Sequence, residues 1–348
     1  MTSHIHKIIK SLSKNYLLKI TQKVIFTFFI LLIFIFLLNY FLTYFFPLPK
    51  KIEDLIKLNT GLIDAQEYYD KYMLHYIPIH RAVIYTLRTL TFNFGQISTV
   101  GDFDVTNVSE SWVWNYWITR NLVGYKINLV SFICAMILGI WLGYLAAKKR
   151  TQGADYIINS FAILFLSVPA FILIPLINIF RSWIGGTINI DYSNPLWFLF
   201  NVDFNNDQII SYLIPIIIMT LINFAGIMQI SRSAFIKVLT SEYYKFALLN
   251  GLPKIKIFIF YALKNSLSEI INIFPFLFTG IFVNNVFLET FFNVSGTWKN
   301  LYHLITWKEN NAIIALTYLL SLTYGVSYIF VLIVKYIISP YKGVNNES

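Results

Sequence analysis

Six apolar runs separated by polar segments dominate the chain: 24–46, 127–147, 156–180, 209–231, 270–288 and 312–338. The first five carry no charged residue, and the last carries only Lys335. At 1.5 Å rise per residue, the 23 residues of the first run make a helix of about 34 Å, enough for a hydrocarbon core of about 30 Å. Backbone in lipid must close its own hydrogen bonds. Runs of this length therefore predict helices rather than the alternating strands, about ten residues each, of a membrane barrel. The expected fold class is all-α: a polytopic membrane protein with six transmembrane helices.

The polar segments divide the rest. Residues 1–46 read as a basic tail and first helix. With no small-residue cleavage site before Pro47-Leu48-Pro49-Lys50, that helix is expected to be an uncleaved signal-anchor. Residues 47–120 carry both signs of charge and read as a folded extramembrane segment, helical over 53–76. It ends in Trp112, Trp114 and Trp117, where the chain re-enters the interface. Residues 121–338 hold five further helices and a long loop, 232–268, and 339–348 form a tail. Pro169, Pro175, Pro215 and Pro275 fall inside the runs and are expected to kink helices rather than end them.

Composition agrees. The chain has 348 residues, 57% hydrophobic and only 13% charged, about half the charge of an ordinary soluble domain. The net charge of +10 lies in dispersed Lys and Arg rather than one basic face, which speaks for membrane topology and lipid headgroups, not nucleic acid. In the tails and short loops, sixteen basic residues fall on one side and three, Arg181, Lys299 and Lys308, on the other. The positive-inside rule then puts both termini and loop 232–268 in the cytoplasm, 47–120 outside, and the protein in the plasma membrane.

Loop 232–268 is too long for a simple helix connection and should hold structure of its own. Ser241 is a good N-cap, Glu242 suits the positive end of a helix dipole, Gly251 suits a C′ position, and Pro253 prevents continuation. These residues predict a short helix over 242–250. Tyr243, Ala247 and Gly251 recur at i, i+4 and i+8, a face that narrows from aromatic to none, with Tyr244 and Leu248 beside it. Nine residues are not stable alone, so the helix needs a groove in a partner or a bed of headgroups for Lys245, Lys254 and Lys256.

The stretch from Glu242 to Leu252, continued by Tyr261-Ala262-Leu263-Lys264-Asn265-Ser266-Leu267, resembles the coupling motif of binding-protein-dependent ABC transporter permeases. The likeness is to the oligopeptide, dipeptide and nickel branch, first-permease type. Further pieces agree in order: Gly139-x-x-x-Gly143-x-x-Ala146-Ala147-x-x-Arg150, Ser167-Val168-Pro169-Ala170-Phe171, Glu289-Thr290-x-Phe292-x-x-x-Gly296, and Ser339-Pro340-Tyr341-Lys342. The resemblance spans 121–342. It departs at Ser268-Glu269, where the family usually has a proline, and at Trp298, where a second glycine often stands.

The resemblance implies a type I importer permease that conducts peptides, or nickel, and binds no cofactor. Its implied partners are a second homologous permease subunit, two cytosolic ABC ATPase subunits carrying ATP and magnesium, and an extracellular substrate-binding protein. Glu242, Tyr243, Ala247, Leu248, Gly251 and Leu252 would couple it to an ATPase. The sequence contains no G-x-x-x-x-G-K-[ST] phosphate loop, which fits hydrolysis in another subunit. For the pathway, polar residues inside the runs are the candidates: Asn223, Asn272, Asn284, Asn285 and Glu289, each of which could equally bond a neighbouring helix. No run carries a charge near its centre, which disfavours ion-coupled transport.

No catalytic constellation or metal-ligand spacing is visible. His75 with His80 and His4 with His6 lack helical ligand spacing, and the one cysteine, Cys134, reads as a small buried hydrophobe. Trp183, Trp197, Trp298 and Trp307 read as interface anchors. The alternatives to an importer permease are a self-contained channel or secondary carrier, which would tolerate damage at Gly251, and a membrane scaffold, which would dock proteins without flux.

Overall fold

The computed structural model describes residues 2–50, 52–54, 65–97, 111–188, 212–292, 294 and 298–338. Its helices are α1 (Thr2–Phe45), α2 (Ala65–Lys71), α3 (Pro78–Leu90), α4 (Val113–Lys148), α5 (Gly153–Ser167), α6 (Ala170–Ile188), α7 (Leu213–Leu239), α8 (Glu242–Leu249), α9 (Lys264–Ile270), α10 (Phe274–Phe291), α11 (Leu301–Thr306) and α12 (Asn310–Ile338). A two-residue antiparallel ladder, β1 (Gln96–Ile97) with β2 (Ser111–Trp112), pairs Gln96 with Trp112. Five stretches are long and apolar enough to span a bilayer: Thr21–Phe45, Gly124–Lys148, Leu213–Leu239, Lys254–Phe291 and Asn310–Ile338. The pair α5 and α6 makes a sixth if it counts as one crossing.

That pair corrects one expectation. Run 156–180 is not a kinked single helix: α5 ends at Ser167, and α6 leaves at a bend of 100°. Val168 is extended (φ −95°, ψ 115°), as the ring of a following proline demands, and Pro169 precedes the first residue of α6. Pro215 and Pro275 sit in first turns, where a missing N–H costs nothing, and only Pro175 lies inside a helix.

Loop 232–268 also shrinks. Helix α7 continues to Leu239, and from Lys254 the chain is helical again, through a π-helical stretch, Ile257–Leu263, into α9. A 3₁₀ turn, Ile271–Ile273, joins α9 to α10 just before Pro275. The amphipathic flanks lack the uniform apolarity that marks a span, so hydropathy alone places the helix ends too early.

Contacts divide the molecule into two compact units: residues 1–22, 124–294 and 326–348, and residues 23–123 with 295–325. In the first, α7 is central, with Phe224, Phe235, Met219, Ile227 and Met228 fully buried among α5, α9 and α10. Its interlock with α4 depends on two glycines. A Cβ on Gly139 would stand 2.7 Å from Ile227 Cγ2, and one on Gly143 would stand 2.6 Å from Ser231 Cβ and 2.9 Å from the Met228 carbonyl. The spacing is that of small-residue helix contacts in membranes. Two turns before Gly139 on the same face of α4, Phe132 meets Phe274 and Phe278 edge-on at 4.8 and 5.2 Å.

In the second unit, α3 lies against the end of α1. Asn39 donates to Thr86 Oγ1 at 3.3 Å, and Arg81 Nη2 donates to the Thr43 carbonyl at 3.0 Å. The chain after α1 is pinned by the Lys50 amide on the Trp307 carbonyl (2.9 Å), the Lys308–Glu53 ion pair (2.9 Å) and Asn310 on the Phe46 carbonyl. Residues 98–110 of the expected extramembrane segment, Trp197, and the Ser339–Lys342 motif lie outside the described residues.

Candidate functional site: the short helix after α7

Helix α8 is positioned by its two ends. Ser241 takes the extended N-cap conformation (φ −72°, ψ 151°), but its hydroxyl donates back to the Val238 carbonyl at 2.5 Å instead of capping α8. Its carbonyl accepts from the Lys245 amide at 3.2 Å. At the other end Gly251 has φ +65°, and the Asn250 and Gly251 amides close on the Phe246 and Leu248 carbonyls at 3.1 Å each. This left-handed residue turns the chain out of the helix, and Pro253 starts the next turn, with the Ile257 amide on its carbonyl at 3.0 Å.

Which face is presented differs from the i, i+4, i+8 reading. Ala247 is buried and holds α8 against the body, so it is not part of an outward face. A methyl there lets the helix lie close, which explains a small residue at that position without a partner. Tyr243, Phe246, Leu248 and Leu249 are exposed, Leu249 by 86%, and Ile255 beyond the turn by 74%. Glu242 and Gly251 are exposed, and Leu252 is half-buried. The sequence reasoning missed Phe246, Leu249 and Ile255, for which the only available signal was large apolar side chains in a loop flanked by lysines.

Beneath α8 lies an aromatic and small-residue cluster. Ala147, Ala234, Phe235, Ala262 and Ile270 are buried, with Tyr144, Tyr244 and Phe258 packed on them. Tyr144 lies 5.3 Å from Phe235 and 4.6 Å from Phe258. Packed rings thus join α8 to α4, α7 and the π-helical stretch.

A second anchor was also missed. Arg232 Nε and Nη2 donate to Asp155 Oδ1 and Oδ2, both at 2.7 Å, and the Thr151 amide donates to Oδ2 at 3.1 Å. The Asp155 side chain is 4% exposed, so this fork ties the first turn of α5 to α7. An acid one turn after Lys148-Lys149-Arg150 was the available signal.

Of the pathway candidates, Asn285 and Glu289 come together, one turn apart on α10, both buried against Gly124. A Cβ on Gly124 would stand 3.1 Å from Asn285 Nδ2 and 3.3 Å from Glu289 Oε1. Asn285 Oδ1 is buried and accepts no hydrogen bond among the described residues. Asn223 is buried but donates to the Met219 carbonyl of its own helix at 2.6 Å. Asn284 is half-buried and Asn272 exposed, and neither joins that cluster. Near the end of α10, Asn178 Nδ2 donates to the Phe291 carbonyl at 2.8 Å, and Arg181 lies 5.2 Å over the Phe292 ring.

The sharply bent α5–α6 pair, a glycine-locked α4–α7 pair and a seated short helix occupy the part of the chain that known proteins match. The model of the family described as "Binding-protein-dependent transport system inner membrane component" matches residues 139–342, more than half of the chain. The chain belongs to this family.

As a member of the family it is a multi-pass membrane protein of the inner-membrane component type. The oligopeptide transport system permease protein OppB of Haemophilus influenzae is 30% identical over 175 residues, 50% of this chain and 53% of that one. The match therefore spans about half of that relative. OppB of Salmonella typhimurium is 23% identical over 240 residues, 68% of this chain and 74% of its own. The dipeptide transport system permease protein DppB of Bacillus subtilis is 26% identical over 241 residues, 69% and 71% of the two chains. A solved structure titled as an amino acid ABC transporter with histidines covers 66% of this chain and 94% of that one at 12% identity, with a TM-score of 0.41, too loose to add to the assignment.

Proposed function

We propose that this chain is a permease subunit of an ATP-driven peptide importer and that α8 is its contact with a cytosolic ATPase. The single observation that supports this most is the division of α8 into a buried Ala247 and an exposed apolar face of Tyr243, Phe246 and Leu249. In water that face carries a hydrophobic cost, and a cleft in a partner removes it. Family membership and the peptide-permease names of the relatives support the solute class.

In this reading a second homologous permease completes the pathway, two ATPases bind ATP with magnesium, and an extracellular binding protein delivers oligopeptide or dipeptide. Both termini are cytoplasmic, by the sixteen-to-three bias of basic residues. Closure of the nucleotide dimer displaces α8 as a rigid body. The displacement passes through Tyr244, Tyr144 and Phe258 to α4 and α7 and alternates access. Asn285 and Glu289, buried where α10 meets Gly124, pack α10 against α4 in this reading rather than line the path.

The test is purification of the tagged chain in mild detergent, identification of co-purifying subunits by mass spectrometry, and assay of ATP hydrolysis and of labelled tripeptide uptake in reconstituted vesicles. A second permease with one or two phosphate-loop ATPases, and uptake that requires ATP, are expected. Recovery of the chain alone under conditions that keep a known importer intact overturns the proposal.

A further inference from the structure

Helix α3 is built inside out. Its buried residues are Arg81, Ala82, Thr86 and Thr89, and its exposed face carries Ile79, Val83 and Leu87, at 51, 43 and 59% exposure. These three recur at i, i+4 and i+8 and so form one stripe along the helix. Ile77, just before it, is 66% exposed. A helix lying on a protein in water buries its apolar stripe and shows its polar one, whereas this helix does the reverse. Its segment, PIHRAVIYTLRTL, contains no Asp or Glu, and its exposed His80 and Arg88 are both basic.

What the polar face meets is a transmembrane helix. Asn39 of α1 donates to Thr86 Oγ1 at 3.3 Å, Thr43 Oγ1 donates to the Pro78 carbonyl at 3.5 Å, and Arg81 Nη2 donates to the Thr43 carbonyl at 3.0 Å. The remaining hydroxyls close on the helix itself: Thr86 on the Ala82 carbonyl and Thr89 on the Tyr85 carbonyl, both at 2.7 Å. Asn39 lies six residues, or about 9 Å, before the last residue of α1. The membrane-spanning part of α1, Thr21–Phe45, is about 37 Å long against a hydrocarbon core of about 30 Å, so Asn39 and its partner Thr86 lie at the level of the acyl chains. The exposed residues of α1 at the same level, Phe34, Leu37, Phe41 and Phe45, are apolar too and lie on the side of α1 away from Asn39.

We propose that α3 is not extramembrane but lies in the leaflet nearest Phe45, with Ile79, Val83 and Leu87 against lipid acyl chains and its polar face on α1. It widens the lipid-facing surface of the first crossing and anchors the following segment at a fixed depth. The occupant is lipid, because α3 turns its polar face to a spanning helix at acyl-chain depth and its apolar stripe outward, while His80 lies at the shallow end near Thr43 and the Arg88 side chain is long enough to snorkel to phosphate headgroups. The lipid contact does not depend on transport activity or on which side of the membrane Phe45 faces.

The experiment uses the full chain with its co-purifying subunits, Cys134→Ala, reconstituted in vesicles of phosphatidylethanolamine and phosphatidylglycerol. Single nitroxide labels are placed at Val83→Cys, Leu87→Cys and, separately, Ile79→Cys. Phe34→Cys is the lipid reference and Gln152→Cys, exposed between α4 and α5, the aqueous one. The expected result is that collisions with oxygen exceed those with a soluble nickel chelate at 83 and 87, as at 34 and opposite to 152. Nickel accessibility equal to that of 152 places the stripe in water and overturns the proposal. An immobilised label reached by neither reagent gives the stripe to a protein partner and also overturns it. Should one labelled variant fail to reconstitute, the other two positions on the stripe decide the outcome.

Discussion

Substituting alanine at Gly143 tests whether α4 and α7 are held by backbone contact. The added Cβ would stand 2.6 Å from Ser231 Cβ and 2.9 Å from both the Arg232 amide nitrogen and the Met228 carbonyl oxygen. Carbon pairs are comfortable near 3.5–4.0 Å, so the helices must part by about 1 Å, and a gap of that size forfeits up to about half of each dispersion well along the seam. Two of the three obstructing atoms are backbone, so no rotamer change relieves the clash. Overpacking of this kind costs about 1–3 kcal/mol. Gly139→Ala, 2.7 Å from Ile227 Cγ2 and one turn away on the same seam, should cost a similar amount. One displacement relieves both clashes, so the double variant should lose less than the sum of the singles. The controls are Gly280→Ala, where a Cβ meets nothing within 4 Å, and Gly226→Ala, where the nearest atom is 3.8 Å away. Both should be neutral or gain up to about 1 kcal/mol from helix propensity. The assay is reversible unfolding in mixed maltoside and dodecyl sulfate micelles, followed by far-ultraviolet circular dichroism. Gly143→Ala unfolding at the same detergent fraction as Gly280→Ala, or a fully additive double variant, would refute the reasoning.

Asp155→Asn should lose about 1.5–3 kcal/mol in the same assay, because it removes charge-assisted bonds to Arg232, and Arg232→Lys should lose less because the charge remains while the fork is gone. Gly251→Ala should cost about 1–2 kcal/mol despite open space around it, because φ is +65°; faster amide exchange at 250 and 251 would report it, and unchanged protection would count against the αL cap. Phe246→Glu should leave the purified chain folded but strip co-purifying ATPase, whereas Ala247→Glu should lower thermal stability itself, since the carboxylate would be driven into the seat of α8. Equal retention of ATPase by Phe246→Glu and the parent would remove the exposed face from the interface.

Much of this site is legible in the sequence. The Ser241, Gly251 and Pro253 punctuation placed α8 to within a residue, because caps depend on local backbone chemistry. The face it presents was not readable: Ala247 and Tyr243 share a helical stripe, yet one is buried and the other exposed, because burial depends on what α7 and the π-helical stretch put beneath them. Asn285 and Glu289 were picked out as polar groups in an apolar run, but their meeting with Gly124, some 160 residues earlier, is a tertiary fact. The Asp155–Arg232 fork escaped for the same reason, with 77 residues between its ends.

The sequence by itself determined the membrane class, the positions of the apolar helices and the short helix after α7. Hydrocarbon length, backbone hydrogen bonding in lipid and proline or glycine stereochemistry act over a few residues at a time and leave their mark there. Beyond the local break that Pro169 imposes, the tertiary structure alone decided the 100° angle between α5 and α6, the continuation of α7 and α9 into the supposed loop, and the inversion of α3. Each turns on which surface a helix finds beside it. A polar stripe such as Arg81, Thr86 and Thr89 reads as water-facing in sequence until α1 supplies Asn39 and a carbonyl to receive it.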